Sequence, residues 1–251
     1  MSVTKWTDAH IFVGSRDLTG KHNSISVNYN VAMLDATVFG SGTKINHPGI
    51  ADWKVDGEGL YDVGADVAAT GVSFVESDSP DGLFNIVGSA GALISVTDVT
   101  PALGGVAYFL KTVQADVQFF GGHGDLIPFS ISSSPSSYGC RGSVLLPNTQ
   151  QTAGGNGSGL QLGALTSDQR LVVGLHVLQF NGTTMTMIVQ SDNANGFGSP
   201  TTVATMTAAT GLTSQWKEVA GPITDDWFRA SWTFTGTSFT ALVVVGIASL
   251  F

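Results

Sequence analysis

The sequence predicts an all-β fold, and three observations predict it. Two runs, SISVNYNV at 24–31 and DWKVDGEGL at 52–60, alternate apolar and polar residues with the two-residue period of a strand. Charged residues make up 12% of the 251 residues and hydrophobic ones 43%, with Gly, Thr, Ser and Val prominent, which favours strands over helices. Turn signals such as SPDG at 79–82 punctuate the chain at short intervals. Length alone admits one large unit or two small ones.

Taken in order, the first run puts Ile25, Val27, Tyr29 and Val31 on one face and Ser24, Ser26, Asn28 and Asn30 on the other. In the second, Trp53 and Val55 share a face, Asp52, Lys54, Asp56 and Glu58 share the opposite one, and Gly57 and Gly59 leave room for a bend or a close neighbour. Together they predict a long hairpin with one polar face, closed by a connector over 34–50. Short strands are expected at 71–76, 84–88 and 92–97. Residues 106–120 contain helix-like spacings (Val106, Phe109, Leu110, Val113), but their β-branched and aromatic content favours one or two long strands.

A second hairpin is expected next. Ile127, Phe129 and Ile131 alternate with Pro128, Ser130 and Ser132, SSSPSS reads as the turn, and Tyr138, Cys140 and Val144 return opposite Gly139, Arg141 and Ser143. Its echo of the first hairpin reads as a weak internal duplication. The stretch NTQQTAGGNGSGLQLG at 148–163 reads as a Gly-rich linker or loop. Six further strands are expected at 170–180, 184–190, 202–207, 216–219, 227–235 and 239–247, a spacing that fits a β-sandwich or jelly-roll. The expected organisation is therefore a β domain over 1–147, a linker over 148–163 and a sandwich-like half over 164–251.

The order SISVNYN, LDATVFGSG, HPGIADWKVDGEGLYD resembles the N-terminal half of the major tail tube proteins of long-tailed (siphovirus-like) bacteriophages, in which a DATxFG segment precedes a PG-then-DW return strand. The segments GGVAYFLKTVQADVQFFGGHGDLIPFSIS and ITDDWFRASWTFTG are similar in style to segments of the same proteins. The resemblance implies a tail-tube-like β-sandwich or barrel whose inner sheet joins neighbouring subunits. It further implies hexameric or pseudo-hexameric rings, stacked around a DNA-conducting channel. On it, Asp52, Lys54, Asp56 and Glu58 are expected to face the lumen, and Asp35, Phe39, Lys44 and His47 to lie in the connector that reaches an adjacent ring. The implied partners are other copies of the chain, the tape measure, terminator and baseplate or tip proteins, and DNA passing through without specific contact. The implied location is the virion tail, after assembly in the host cytoplasm. Simple tube subunits are often shorter, so residues after 148 are expected to be a second tube-like half, as in trimeric rings, or an outward decoration domain.

Charge points the same way. With ten basic and nineteen acidic residues the formal net charge is −9, and the basic residues form no cluster of the kind that gathers phosphates. An acidic wall repels DNA and eases its transit. Cys140 stands alone, which excludes an intrachain disulfide, and it is expected to be a small buried side chain. The N-terminus MSVTKWTDAH lacks the pattern of a signal peptide, and no run approaches the roughly 18 apolar residues of a membrane helix.

No spacing points to catalysis or to a cofactor. His10, His22, His47, His123 and His176 are scattered, without HxH or HExxH, and His176 within LVVGLHVLQF is expected to be a core residue with a satisfied ring. There is no GxSxG elbow. Asp225 and Asp226 point to opposite faces of a strand, and the shared face of Asp52, Asp56 and Glu58 reads as a solvated surface carrying Lys54 rather than a glycosidase pair. SDNANGFG at 191–198 offers oxygen ligands near a Gly turn but lacks the alternating acids and terminal Glu of an EF-hand, and GGNGSG has no phosphate-loop ending. Trp6, Trp53, Trp216, Trp227 and Trp232 read chiefly as packing anchors. The alternative functions are a carbohydrate- or receptor-binding β-sandwich of a virion, to which the tryptophans and the 191–198 turn would contribute, and a capsid decoration protein.

The charge balance predicts that the purified chain leaves the mobility of duplex DNA unchanged in a gel-shift assay at moderate salt; a retained, salt-sensitive complex would contradict it.

Overall fold

The computed structural model describes residues 9–20, 22–38, 42–60, 90–119 and 128–249. Every regular element among them is a strand, and all the strand pairings are antiparallel. β1 (His10–Val13) and β2 (Arg16–Asp17) form a short hairpin, and β3 (His22–Asp35) and β4 (Asn46–Leu60) a long one. After β5 (Ala90–Thr97) comes a second long hairpin of β6 (Val106–Phe119) and β7 (Pro128–Leu146). Short strands β8 (Gln150–Gln151), β9 (Gly155–Asn156) and β10 (Leu160–Gln161) follow, then β11 (Gln169–Asp192), β12 (Thr201–Thr205), β13 (Thr213–Ala220) and β14 (Trp227–Ser249). Hydrogen bonding runs through them in the order β12-β11-β14-β7-β6-β5-β1-β2, and among the described residues no helix is long and apolar enough to cross a membrane.

The all-β class and the first hairpin agree with the sequence reading, and 106–119 is strand rather than helix. The expected strands at 71–76 and 84–88 lie outside the described residues. Two expectations are corrected. The SSSPSS segment is not a turn: β7 runs unbroken through it, and its return partner is β6. Pro135 is accommodated there because the register slips between Leu110 and Thr112 and between Gln114 and Asp116, the kind of irregularity at which a strand tolerates proline. The serines supply side-chain bonds along the strand: Ser133 Oγ donates to Val55 O at 3.0 Å and Ser136 Oγ to Lys111 O at 3.2 Å.

The six expected C-terminal strands are four. Segments 170–180 and 184–190 merge into β11, and 227–235 and 239–247 into β14, which pair from Gln169↔Ser249 to Asp192↔Trp227. At Asn181, Gly182 and Gly236 the register slips and the ribbon bends instead of turning back. A Cβ at Gly182 or Gly236 would meet the facing strand or the Phe234 ring, so only glycines allow the two strands to approach so closely there. The 148–163 stretch carries β8, β9 and β10, each paired with β14.

Three buried clusters explain why these strands lie where they do. Alternation in β11 sends Leu171, Val173, Leu175 and Val177 into a C-terminal core with Met187, Trp232 and Phe239, and sends Val172 to the opposite side. There Val172, Leu242 and Val244 meet Phe12, Leu93, Phe109 and Cys140. β5 is divided in the same way: Leu93 joins that shared core, while Ala92, Ile94 and Val96 face a third cluster with Ile11, Val55, Phe129 and Ile131. Strands dry on both faces read as near-continuous apolar runs, as LVVGLHV and ALVVVGI do. Burying each such side chain stabilises by about 1.5–3 kcal/mol before chain entropy is counted. Cys140 is buried here as expected, and desolvation pushes its thiol pKa up to about 12.

The first long hairpin is anchored to this body by Trp53, whose ring occupies the place a side chain on Gly139 of β7 would need. Gly139→Val should therefore lower the unfolding free energy by about 1–3 kcal/mol. In the same urea titration Gly211→Ala, which meets nothing within 4 Å, should stay within about 0.5 kcal/mol of wild type.

Candidate functional site

The far halves of the two long hairpins lie side by side as a four-stranded antiparallel sheet ordered β6-β7-β4-β3. Its register is Asp116↔Ser132 and Gln118↔Ser130 between β6 and β7, Ser132↔Asp56 and Ser130↔Glu58 between β7 and β4, and Asp56↔Ser26 and Glu58↔Ser24 between β4 and β3. Paired residues of neighbouring strands share a face, so Ser24, Ser26, Asn28, Lys54, Asp56, Glu58, Ser130 and Ser132 lie on one side. The other side carries Ile25, Val27, Trp53, Val55, Phe129 and Ile131, which pack into the third core. Gly57 and Gly59 face Ile131 and Phe129 across the ladder, and a Cβ on Gly57 would meet the His22 ring and Ile131. They are the close-neighbour glycines anticipated from sequence.

The polar face is bonded within itself. Lys54 Nζ lies 2.8 Å from Asp56 Oδ1, and Ser132 Oγ donates to the same oxygen at 2.8 Å. Asp52 and Glu58 are exposed, so the face retains an excess of negative charge. His22 borders the sheet: Nδ1 donates to Leu18 O at 3.2 Å, the ring meets Phe129 edge-on at 5.1 Å, and burial lowers its pKa despite that bond.

Two edges of this sheet have no partner strand among the described residues. Among the described residues β3 pairs with β4 alone, and residues 114–119 of β6 pair with β7 alone. Beyond the tilted Tyr29–Trp53 ring contact, at 4.6 Å, β3 and β4 continue as a two-stranded arm to Asp35↔Asn46, about 17 Å at strand rise. Along the arm and its turn apolar side chains are exposed: Met33 and Val38 at 68% and Leu34 at 58%.

The expected connector residues divide accordingly. Asp35 and His47 are in the strands of the arm rather than in a loop, which shortens the connector to 36–45; Lys44 is beside the turn; Phe39 lies outside the described residues. Asp35 holds the turn: Oδ1 accepts from the Thr37 N–H at 2.9 Å, Lys44 Nζ stands 3.7 Å from Oδ2, and Thr37 Oγ1 accepts from the Ile45 N–H at 3.0 Å. The Thr37 hydroxyl and N–H, with Lys44 third, hold the Asp35 carboxyl below its usual pKa.

The other constellations resolve into structural roles. Asp225 accepts from Ser191 Oγ and Asp226 from Gln161 Nε2, each at 2.6 Å, so the neighbouring acids serve different partners. In the 191–198 turn both carboxylate oxygens of Asp192 are taken by backbone N–H groups, of Ala194 at 3.1 Å and Ser199 at 2.9 Å. No group of three His, Cys, Asp or Glu residues able to hold a metal forms among the described residues. Trp232 is buried with Nε1 donating to Ala153 O at 2.8 Å, and Trp216 packs on Phe109 and donates to Glu218 at 2.8 Å. A depression of about 380 Å³ between Thr207 and Gln215 holds no ionisable side chain.

Sequence reading missed that β7 belongs to this sheet. The signal was present in the Phe129–Ile131 alternation, but the proline-containing serine run concealed the strand's continuity.

No protein-family model matches the chain, and no curated protein does. Among solved structures, a chain from the virion of a native gene transfer agent particle is 11% identical at a TM-score of 0.39, covering 55% of this chain and 98% of that one. The Dit protein (gp 19.1) of SPP1, described as a paradigm of hub adsorption apparatus in phages infecting Gram-positive hosts, is 11% identical at 0.39, covering 96% and 99%. A chain from the tail of an empty gene transfer agent particle is 13% identical at 0.37, covering 55% and 98%. TM-scores this low carry no argument about this chain.

The Lys54–Asp56 pair is half-exposed, so Lys54→Ala should change the unfolding free energy by less than about 1 kcal/mol in chemical denaturation; a larger loss would make the pair a structural element rather than surface charge.

Proposed function

We propose that the chain is a structural subunit of a bacteriophage tail tube, forming stacked rings around a channel through which DNA passes. The observation that carries this reading is the four-stranded sheet with a polar face, an apolar face packed on its own body, and two edges that find no partner among the described residues. An unprotected edge is a template for another strand, and a closed ring satisfies every edge at once. Strand direction makes the closure consistent. With four antiparallel strands per copy, rotation about an axis sets residues 114–119 of one copy beside β3 of the next in antiparallel sense. An odd number of strands would give a parallel seam at every junction.

Dimensions favour six copies. At about 4.8 Å between strands and a tilt near 40°, a barrel of about 24 strands has a backbone diameter of roughly 48 Å, and side chains leave a lumen of roughly 38 Å. Three copies contributing one such sheet each would give about 12 strands and an opening near 14 Å, too narrow for a duplex. In this arrangement Asp52, Lys54, Asp56 and Glu58 line the lumen with net negative charge, which keeps DNA from adhering. The arm with Met33, Leu34 and Val38 projects beyond its own body and meets an adjacent ring, with Asp35, Lys44 and His47 around its turn. Residues after 164 then stand outside the tube as a sandwich-like half, and the tape measure, terminator and baseplate or tip proteins are the further partners.

Electron microscopy of the purified protein tests the reading directly. Rings or tubes of six chains per layer with an open lumen are expected; monomers that never polymerise at high concentration would refute it. Proline placed singly at Asn28 and at Tyr29 gives a finer test, since neighbouring strand residues aim their N–H groups at opposite edges. The variant whose N–H faces outward should fold as wild type yet fail to form rings.

A further inference from the structure

The best-bonded polar side chain in the shared core is His176, and it belongs to none of the surfaces described above. It is fully buried on β11. Nδ1 is 2.6 Å from the carbonyl of Gly14, which can only accept, so that nitrogen carries the proton. Nε2, 2.7 Å from Ser95 Oγ, is then the acceptor and Ser95 the donor. Gly14 sits in the β1–β2 turn at φ +59°, where its own N–H is bonded to Leu93 O at 2.9 Å. Ser95 is fully buried on β5, and Phe12 packs beside the imidazole at 5.9 Å. One ring from the C-terminal half thus ties together the β1–β2 turn and β5 of the N-terminal half.

We propose that His176 is an acid-sensitive latch, whose protonation loosens the β1–β2 turn and β5 from β11 while leaving the C-terminal core intact. The geometry shows why a charge is not tolerated there. The titratable groups on the elements around the ring are His10 on β1, Arg16 and Asp17 on β2, Tyr108, Lys111 and Asp116 on β6, Tyr138, Cys140 and Arg141 on β7, Arg170 and Asp192 on β11 itself, and Lys217 and Glu218 on β13; β5 has none, and β14 has Arg229 near its far end. Three of the acids have other partners: Asp17 accepts from Thr19, Glu218 from Ser137 and Trp216, and Asp192 from the N–H groups of Ala194 and Ser199; Asp116 is opposite Ser132, in the far half of β6. An imidazolium would be buried without an anion, against a carbonyl and a hydroxyl already satisfied by the neutral ring.

The sign follows. Burial lowers the pKa of His176 from 6.5 to about 4, against a smaller opposing effect of the Gly14 bond. The folded junction therefore keeps its full stability above pH 6.5, where the opened form has no proton to gain. It loses that stability as pH falls from 6.5 towards 4. The latch is independent of the tube reading, since it lies within one chain.

Hydrogen exchange with mass spectrometry on the full-length, unassembled chain tests it, after correction for the intrinsic pH dependence of exchange. Between pH 7 and pH 4, protection of segments 10–17 and 90–97 should fall on the order of a hundredfold. Segments 185–191 and 228–235 should keep theirs, and His176→Gln should abolish the pH dependence of the first two. Equal loss in all segments, or an unchanged pH dependence in His176→Gln, would overturn the proposal. If that variant does not fold, the wild-type imidazoles followed by NMR decide it. A ring fixed with its proton on Nδ1 that titrates near pH 4 is expected, and five histidines all titrating near pH 6.5 would refute it.

Discussion

A strand in the interior of a sheet has both edges paired, and a strand at the margin has one row of N–H and C=O groups left over. In this chain that constraint decides the architecture. β11 and β14 are paired along their whole length, and where β14 would show an edge the chain lays down β8, β9 and β10, two residues at a time. There the body covers an edge with short local pieces. The sheet made by β6, β7, β4 and β3 has no such cover among the described residues.

Faces and edges of that sheet are specified by different means. The face is set by alternation: polar side chains of three strands lie together, while Val55, Phe129 and Ile131 point inward, and Gly57 keeps the space that Ile131 and His22 fill. A one-residue slip would exchange those faces, so burial of the apolar set fixes the register and with it the acidic surface. The edges depend on backbone direction alone. The polar face can therefore vary in chemistry without altering the edges.

Legibility in the sequence followed the same division. Alternation was readable where one face is wet, so the first hairpin, its polar row and its glycines emerged from 24–31 and 52–60 directly. His176 was readable as a core residue because an apolar run surrounds it, and Cys140 because a lone cysteine is usually buried. Three things were not readable. Chain reversal was inferred at SSSPSS and at the Asn181–Gly182 region because proline, serine and glycine mark turns, whereas in the fold they mark slips in register within continuous strands. The Gly-rich 148–163 stretch reads as loose because its strands are too short to show a period. The arm residues Asp35 and His47 fell within a segment judged a connector, since Pro48 and Gly49 broke the alternation before the strand did.

The central claim is that β3 and residues 114–119 of β6 complete each other between copies, and amide hydrogen exchange compared between the isolated chain and assembled particles measures this most directly. The account predicts that alternate amides of β3 exchange rapidly in the isolated chain and become protected on assembly together with those of 114–119. Assembled particles in which both edges continue to exchange as fast as in the free chain would contradict it.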